Sequence, residues 1–237
     1  SSPVAGDWQG ITFTSGSTSN VMDQTVIKYA SYGIQCYTSS LTLSNSTISN
    51  NAYGIYAASA SPAITGNAIS GNDTGIKLSS ASPTITGNTI SSNRSYGIYC
   101  SGEIFALIDG NAIAENIGYG LYNAGNSVMD AENNYWGHFS GPYDPSDDRA
   151  AGGWYNPGGL GDKVSDRIDY EPWRSIPVSA ADFDGDGDCD GSDLAQLVTE
   201  FGREDCSTDC PCCCDLDRDG CVDEIDIFLF AEDFGRF

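Results

Sequence analysis

A unit of 21 to 23 residues recurs six times between residues 6 and 139. A glycine followed by an aliphatic residue marks each unit: Gly10-Ile11, Gly33-Ile34, Gly54-Ile55, Gly75-Ile76, Gly97-Ile98 and Gly120-Leu121. A fixed period of this length is typical of solenoids, because a single unit cannot bury its apolar face and must stack on its neighbours. We therefore expect about six stacked coils.

Two further apolar columns recur within the units. One follows an Asn-x-apolar signature: Asn67-Ala68-Ile69, Asn88-Thr89-Ile90, Asn111-Ala112-Ile113 and Asn134-Tyr135-Trp136, with Gln24-Thr25-Val26 and Ser46-Thr47-Ile48 as variants. The other column is Val21, Leu43, Ile64, Ile85 and Ile108. Short β-branched runs without helical spacing predict strands. A turn asparagine also recurs, at Asn51, Asn72, Asn93 and Asn116, and is expected to tolerate left-handed backbone and to hydrogen-bond to the next coil.

These repeats resemble the right-handed parallel β-helix superfamily with pectate-lyase-like repeats, in its NosD-like version. The resemblance covers about residues 6–136, and Asn133-Asn134-Tyr135-Trp136-Gly137 followed by Ser140-Gly141-Pro142 is similar to the superfamily's last coil. It implies a mainly β fold, with a right-handed parallel β-helix over residues 1–139. Residues 140–180 lose the period, gain Pro and Gly, and are predicted to be a cap and linker that folds back over the open end of the last coil.

Residues 181–237 hold 18 of the 33 acidic residues and only three basic ones. Such a density of carboxylates excludes nucleic acid as a partner and requires neutralising cations. Two loops, 33 residues apart, place oxygen ligands with the spacing of a calcium loop, with Gly187 and Gly220 at the sharp turn. The predicted ligands of two calcium ions are Asp182, Asp184, Asp186, Asp188, Asp190 and Asp193 in the first loop, and Asp215, Asp217, Asp219, Cys221, Asp223 and Asp226 in the second, with Asp188 and Cys221 acting through their main-chain carbonyls.

A helix is predicted after each loop, over Leu194–Phe201 and Ile227–Phe234. A loop followed by a helix resembles a dockerin, which implies docking to a protein partner. The pairs Gly191-Ser192 and Glu224-Ile225 replace the Ser/Thr pair of cohesin-reading dockerins, so a cohesin is a doubtful partner. Seven of the nine cysteines lie in this tail and predict disulfides in an oxidising compartment, with the connectivity left open.

Enzymatic activity is the main alternative for the solenoid, because proteins of pectate-lyase type cleave polysaccharides. Lyase or hydrolase chemistry needs clustered carboxylates and bases, yet residues 1–136 contain only Lys28, Lys77 and Arg94 as basic residues. Asp109 and Asp130 are the nearest pair of carboxylates by column, and His138 is interpreted as a packing or turn residue. The sequence favours a protein without catalytic residues.

A carbohydrate-binding module is the third alternative. The residue two places after each marker glycine is predicted to face outward, and this column is Thr12, Gln35, Tyr56, Lys77, Tyr99 and Tyr122. Tyr56, Tyr99 and Tyr122 are suited either to stabilising the strand face or to contacting a glycan. Three sequons, at Asn45, Asn72 and Asn93, leave glycosylation open. Cys36 and Cys100 share an inward column but lie three coils apart, too far for a disulfide.

The sequence thus predicts an extracellular or cell-surface structural or adhesive protein with no membrane span. The solenoid would be a shaft, and the tail a calcium-dependent docking module. The first coil begins near Trp8 with no preceding capping helix, so end-to-end association into a filament is a further expectation.

Overall fold

A computed structural model describes residues 2–38, 41–176, 181, 183, 189, 191–204, 206, 214–217 and 219–234. The chain divides into two compact units, Ser1–Trp173 and Arg174–Phe237. The first unit is a solenoid and the second is a small helical unit.

Three parallel sheets form the solenoid. Each of the first five coils contributes one strand to each sheet, and the sixth coil contributes a strand to sheet one. Sheet one contains β1 (Ile11–Phe13), β4 (Tyr32–Cys36), β7 (Tyr53–Ala58), β10 (Thr74–Ser79), β13 (Tyr96–Ser101) and β16 (Tyr119–Asn123). Sheet two contains β2 (Asn20–Asp23), β5 (Leu41–Ser44), β8 (Ala63–Thr65), β11 (Thr84–Thr86) and β14 (Leu107–Asp109). Sheet three contains β3 (Val26–Lys28), β6 (Thr47–Ser49), β9 (Ala68–Ser70), β12 (Thr89–Ser91) and β15 (Ala112–Ala114). The predicted parallel β-solenoid is confirmed.

Aliphatic side chains at matching positions of successive coils fill the interior. The residue after each marker glycine pairs in register along sheet one, and the inward residues of the other two sheets do the same. These columns are fully buried: Ile34, Ile55, Ile76, Ile98 and Leu121 in sheet one, Leu43, Ile64, Ile85 and Ile108 in sheet two, and Ile48, Ile69, Ile90 and Ile113 in sheet three. Stacking identical branched side chains at the strand spacing therefore produces one continuous core.

The first coil departs from the predicted columns by one residue. Met22, not Val21, pairs with Leu43 and packs against the core, whereas the Val21 side chain is 70% exposed. Ile27 likewise pairs with Ile48 and is buried, whereas Val26 is 64% exposed. A shift of one residue moves a strand side chain to the opposite face, so assigning Val21 and Val26 to the core was wrong.

The marker glycines are required by close backbone contacts between coils. A Cβ atom built on Gly54 would lie 2.5 Å from the carbonyl oxygen of Gly75, and one on Gly75 would lie 2.6 Å from that of Gly97. Both hypothetical Cβ atoms would also press on the side chain of the asparagine at the neighbouring corner. Only glycine allows the backbones of adjacent coils to approach this closely.

The predicted asparagine ladder is present at one corner of the solenoid. The side-chain amide of Asn51 donates to the side-chain oxygen of Asn72 at 3.0 Å, Asn72 donates to Asn93 at 3.1 Å, and Asn93 donates to Asn116 at 2.9 Å. Each of these oxygens also accepts the main-chain N–H of the preceding ladder residue. The left-handed backbone falls one residue earlier than predicted, at Asn50 for example.

A second ladder runs along another corner. The side-chain amide of Asn67 donates to Asn88 at 3.0 Å, Asn88 donates to Asn111 at 3.0 Å, and Asn111 donates to Asn134 at 2.9 Å. Ser46 precedes this ladder and donates its main-chain N–H to Asn67. Buried polar groups are tolerated only when hydrogen-bonded, and here each amide finds its partner in the next coil.

A seventh turn follows the sixth coil, so the solenoid has about seven turns rather than six. The sixth coil continues through β17 (Met129–Asp130), and the chain then forms β18 (Pro142–Tyr143), a 3-10 helix (Arg149–Ala151), and the seventh turn with β19 (Gly161–Lys163) and β20 (Ile168–Asp169). β20 pairs with β17, and Val164 bridges to Leu121. Asp162 terminates the first ladder by accepting the Asn116 side-chain amide at 2.7 Å. Val164 and Asp162 therefore contact the end of the sixth coil, and residues 177–180 of the predicted linker lie outside the described residues.

The second unit contains two short helices, α1 (Gly191–Glu200) and α2 (Glu224–Asp233). Both begin three residues earlier than predicted. Its small core contains Ile176, Ala181, Cys189, Leu197, Cys214, Val222, Leu229 and Phe230. The sequence predicts that apolar residues of the two helices pack against each other: Leu194, Leu197, Val198 and Phe201, and Ile227, Phe230 and Phe234. Leu197 and Phe230 are buried, whereas the other five are exposed.

Candidate functional site

The second acidic loop brings three of its predicted ligands together. One carboxylate oxygen from each of Asp215, Asp217 and Asp219 lies within 4.8 Å of the others. The loop is folded by its own carboxylates: Asp217 accepts the N–H of Asp219 at 3.1 Å, and Asp215 accepts the N–H of Gly220 at 3.2 Å. Gly220 has a φ of 96°, the left-handed turn that the motif requires at this position.

The last acidic residue of each loop occupies an equivalent place. Asp193 is the third residue of α1 and Asp226 the third residue of α2, and both are buried. Asp193 accepts the N–H of Phe183 at 2.6 Å, and Asp226 accepts the N–H of Leu216 at 2.6 Å. Phe183 and Leu216 are both the second residue of their loops, so the two loops share this closing hydrogen bond.

Asp223 has a different role in the described structure. Its side chain accepts the N–H of Ile225 at 2.8 Å, and Asp226 reaches back to the N–H of Asp223 at 2.8 Å. This reciprocal capping box starts α2. Cys221 follows Gly220 in the loop with a free thiol, and its main-chain N–H donates to Asp219.

Mutual repulsion and burial act on the carboxylates of the second loop. Desolvation raises the pKa of Asp217 above its ordinary value, and the charges of Asp219, Asp226 and Asp215 add to the shift. Desolvation also raises the pKa of Asp226, with a contribution from Asp215. One buried side-chain oxygen of Asp215 accepts no hydrogen bond within the part of the chain that the structure describes. The loop therefore concentrates negative charge that its own N–H groups only partly compensate.

Most of the first loop cannot be compared in the same way. Asp182, Asp184, Asp186, Asp188 and Asp190 lie outside the described residues. The calcium ligands of both loops, and the disulfide pairing of the tail, stay predictions.

The outward face of sheet one carries two rows of tyrosines. Register places Gln35, Tyr56, Lys77, Tyr99 and Tyr122 in one row, as predicted, and Tyr32, Tyr53, Thr74, Tyr96 and Tyr119 in the other. We define the tyrosine face as Tyr32, Tyr53, Tyr56, Lys77, Tyr96, Tyr99, Tyr119 and Tyr122. The sequence did not indicate whether the tyrosines of the second row point inward or outward, because the glycine between the rows obscures the alternation of side chains.

Ring contacts join the two rows into one half-buried surface. Tyr99 stacks on Tyr122 with ring centroids 5.7 Å apart, and Tyr96 packs edge-on against Tyr99 at 5.1 Å. Tyr32 stacks on Tyr53 at 4.9 Å. These contacts stabilise the sheet, and the same side chains remain partly accessible to solvent.

A cleft of about 380 Å³ continues the tyrosine face at the seventh turn. Its lining includes Tyr119, Tyr122, Lys163, Asp166 and Arg167. The ammonium group of Lys163 lies 4.6 Å from the ring centroid of Tyr119. The cleft thus combines aromatic rings, polar groups and two cations, against one carboxylate.

The carboxylates considered for catalysis lie on a different surface. Asp109 accepts the side-chain amide of Asn133 at 3.0 Å, and Asp130 pairs in register with Asp169. Desolvation, followed by the charges of Asp130, Asp169 and Asp109, raises the pKa of Glu132. Within the described residues these carboxylates form no group compact enough to hold a metal ion.

The sequons and the solenoid cysteines are explained by packing. Asn72 and Asn93 are fully buried in the first ladder, so a glycan on either is incompatible with the fold, whereas Asn45 is exposed. Cys36 and Cys100 lie in one inward column, separated by Ala57 and Leu78, and both are buried free thiols.

The fold defines this chain as a parallel β-helix protein, and a family model narrows the class. Residues 2–148 match the model described as NosD, periplasmic copper-binding protein. Because the match covers more than half of the chain, the chain belongs to the NosD family. No curated protein and no solved structure matches it.

The described residues do not fit a copper site. Copper prefers imidazole, thiolate and thioether donors. In the matched region these donors are Met22, Cys36, Cys100, Met129 and His138. The two thiols are buried, and two coils lie between them. The Nδ1 atom of His138 is hydrogen-bonded to the hydroxyl of Ser140 at 2.8 Å. The one convergent acidic group in the described structure, at Asp215, Asp217 and Asp219, offers the hard oxygen donors that suit calcium instead.

The periplasmic description of the family agrees with the extracellular or cell-surface location predicted from the sequence, which is thereby confirmed. Among the described helices, neither has the length and apolar character needed to cross a bilayer.

Proposed function

We propose that this chain is a non-catalytic extracytoplasmic protein in which the β-helix is a rigid shaft and the tail is a calcium-dependent docking module. The observation that carries the proposal is the second acidic loop, where Asp215, Asp217 and Asp219 converge. The two calcium ions, the dockerin-like character of the module and the protein partner are parts of this proposal.

Three properties of the second loop favour calcium. Its carboxylates converge at a left-handed glycine, its buried Asp226 closes the loop, and one Asp215 oxygen lacks a hydrogen-bond donor in the described structure. Hard oxygen ligands in a flexible loop are the environment that Ca²⁺ prefers. Bound cations would also offset the charge of a tail with 18 acidic and three basic residues.

An apolar stripe on the first helix supports a docking role. Leu194, Val198 and the following Phe201 recur at helical spacing and are 38%, 68% and 47% exposed. Exposed apolar side chains on one helical face are suited to contact with a partner. End-to-end association of subunits stays a separate prediction.

Calorimetric titration of the full chain with Ca²⁺, after removal of metal by a chelator, tests the proposal. We expect uptake of two ions per chain, and uptake of one in the double variant Asp217→Ala/Asp219→Ala. Alanine at these positions removes the ligand oxygens, whereas asparagine would still offer a carbonyl oxygen, so the loss reports on ligation.

The double variant Asp130→Asn/Asp169→Asn is the matched control, because it removes an equal charge from the solenoid. It should still take up two ions. Absence of calcium uptake by the wild-type chain, or equal uptake by both double variants, would overturn the proposal.

A further inference from the structure

We propose that the cleft at the seventh turn binds a small phosphorylated molecule, with Lys163 and Arg167 holding its phosphate group. Every residue that lines the cleft belongs to the β-helix unit, so the proposal does not depend on calcium binding by the tail. It adds a ligand site to what is otherwise proposed to be a rigid shaft.

The cleft brings together two cations that have no ion-pair partner among the described residues. The chain has 33 acidic and only 10 basic residues, so its cations have many carboxylates available to them. Arg94, for example, lies 3.1 Å from a carboxylate oxygen of Asp73. Neither Lys163 nor Arg167 forms such a pair within the part of the chain that the structure describes. Both cations therefore remain available to an anion that enters the cleft.

The backbone of Arg167 is fixed in an unusual conformation. Its φ of 60° lies in the left-handed region, which residues with a side chain rarely adopt. Its N–H donates to the Asp148 carboxylate, and its carbonyl accepts the N–H of Met129 at 3.0 Å and the side-chain amide of Asn123 at 3.2 Å. Strained backbone held by several contacts occurs preferentially at ligand sites. The guanidinium group thus extends from a fixed point, which lowers the cost of ordering it around a ligand.

The two cations suit a phosphate group better than a carboxylate. The ammonium group of Lys163 lies 4.6 Å from the ring centroid of Tyr119, a contact that positions the ammonium without neutralising its charge. Lysine supplies a compact charge, and arginine supplies a planar fork of N–H donors that matches phosphate oxygens. A phosphomonoester carries a charge of about −1.5 to −2 at pH 7, whereas a carboxylate carries one charge for two cations.

The size and the polar walls of the cleft indicate that more than a phosphate ion is bound. The cleft volume of about 380 Å³ lies within the range of about 300–1,000 Å³ that is usual for small-molecule sites. Asn126, Ser146 and Ser165 contribute amide and hydroxyl groups to its walls. Such groups hydrogen-bond to hydroxyl groups of a ligand. A sugar phosphate, which combines a phosphate with several hydroxyl groups, is the class of molecule that fits.

Calorimetry of the full chain with ribose 5-phosphate, inorganic phosphate and ribose tests the proposal. We expect ribose 5-phosphate to bind, inorganic phosphate to bind more weakly, and ribose to show no measurable binding. Lys163→Gln and Arg167→Gln should each weaken the binding of ribose 5-phosphate by about tenfold, because each removes a charge-assisted contact. Lys163→Arg should retain most of the affinity.

The exposed carboxylate of Asp166 also lines the cleft and gives a test of opposite sign. Asp166→Asn should strengthen the binding of ribose 5-phosphate by about twofold to fivefold, because it removes a charge that repels the phosphate. Asp23→Asn, which removes the same charge in the first coil, should leave the affinity unchanged. Equal effects of both variants would mean that Asp166 acts only through the net charge of the chain, which would contradict a phosphate in the cleft.

Arg94→Gln is the matched control for the loss of a cation, because Arg94 does not line the cleft. It should bind ribose 5-phosphate like the wild type. The proposal would be overturned by an equal loss in Arg94→Gln, by no binding of ribose 5-phosphate, or by equal binding of ribose. Inorganic phosphate that binds as tightly as ribose 5-phosphate would also overturn it, because the polar walls would then contribute nothing. Thermal unfolding checks that each variant is folded, and if Arg167→Gln is not, Lys163→Gln against Lys163→Arg decides.

Discussion

The solenoid and the tail satisfy their polar groups in opposite ways. In the solenoid each buried asparagine hydrogen-bonds to an asparagine one coil further on, and the aliphatic columns bury one another. In the described part of the tail a small core supports the second acidic loop, whose carboxylates accept nearby N–H groups and repel one another. A repeat that pairs with itself needs nothing from the solvent, whereas a concentrated set of carboxylates needs a counter-ion.

Removal of calcium should produce the largest difference in stability between the solenoid and the tail. A chelator in excess should make residues 182–237 exchange amide hydrogens rapidly and become sensitive to protease, because ion binding supplies folding free energy to such loops. Residues 11–170 should stay protected, since their strands pair with adjacent coils. Hydrogen exchange followed by mass spectrometry measures both regions in one sample. Equal protection of the tail with and without chelator would contradict the prediction that calcium stabilises the tail.

Truncating one asparagine of the first ladder tests how much the ladder contributes to the stability of the solenoid. The side chain of Asn93 donates to Ile69 and Asn116 and accepts from the main-chain and side-chain amides of Asn72. Asn93→Ala should lower the free energy of unfolding of the solenoid by about 3–5 kcal/mol, because it leaves several buried polar groups without their hydrogen-bond partners. Chemical denaturation measures the loss. The exposed Asn126→Ala control should change it by less than about 0.5 kcal/mol. Similar effects for both variants would mean that the ladder contributes little.

The carboxylate that ends the first ladder should produce the smallest effect. Burial raises the pKa of Asp162 to about 6 despite its hydrogen bonds to Asn116. The folded state therefore binds more protons than the unfolded state between about pH 4 and 6, and the contribution of Asp162 to stability falls as the pH rises through that window. Asp162→Asn cannot titrate but can still accept from Asn116. Its stability relative to the wild type should increase from pH 4 to pH 7 by at most about 2 kcal/mol.

Thermal or chemical unfolding at several pH values measures this difference. Asp166→Asn, at an exposed position of the same turn, is the control and should show no such increase. A constant difference between Asp162→Asn and the wild type across the window would show that Asp162 is not protonated preferentially in the folded state.

Periodicity made most of the solenoid predictable, and its limits are visible in the first coil. The marker glycines give the register of sheet one directly, because any side chain there would collide with the next coil. Val21 and Met22, and likewise Val26 and Ile27, are neighbouring apolar residues, and one coil alone does not indicate which of each pair faces inward. Pairing with the second coil decides it, since only one register buries Leu43 and Ile48 against a partner.

The candidate sites also differ in how much of each could be predicted from the sequence. The spacing of the acidic residues in two loops was enough to propose calcium, because ligand geometry in such a loop is local in sequence. The role of Asp223 as a helix cap was not predicted, because a carboxylate at that position can serve either purpose. The union of two tyrosine rows into one face was also missed, since it depends on how the backbone turns at each glycine.

The sequence by itself determined a parallel stack of coils, an asparagine ladder and two acidic loops each followed by a helix, because each of these is encoded by a repeat or by a short local motif. Only the tertiary structure decided that residues 161–173 add a seventh turn, that Asp162 ends the ladder, and that Lys163 and Arg167 meet Tyr119 and Tyr122 at a cleft. These contacts join residues about 40 positions apart that share no period. Their partners are selected by the shape of the completed solenoid end, which no local pattern contains.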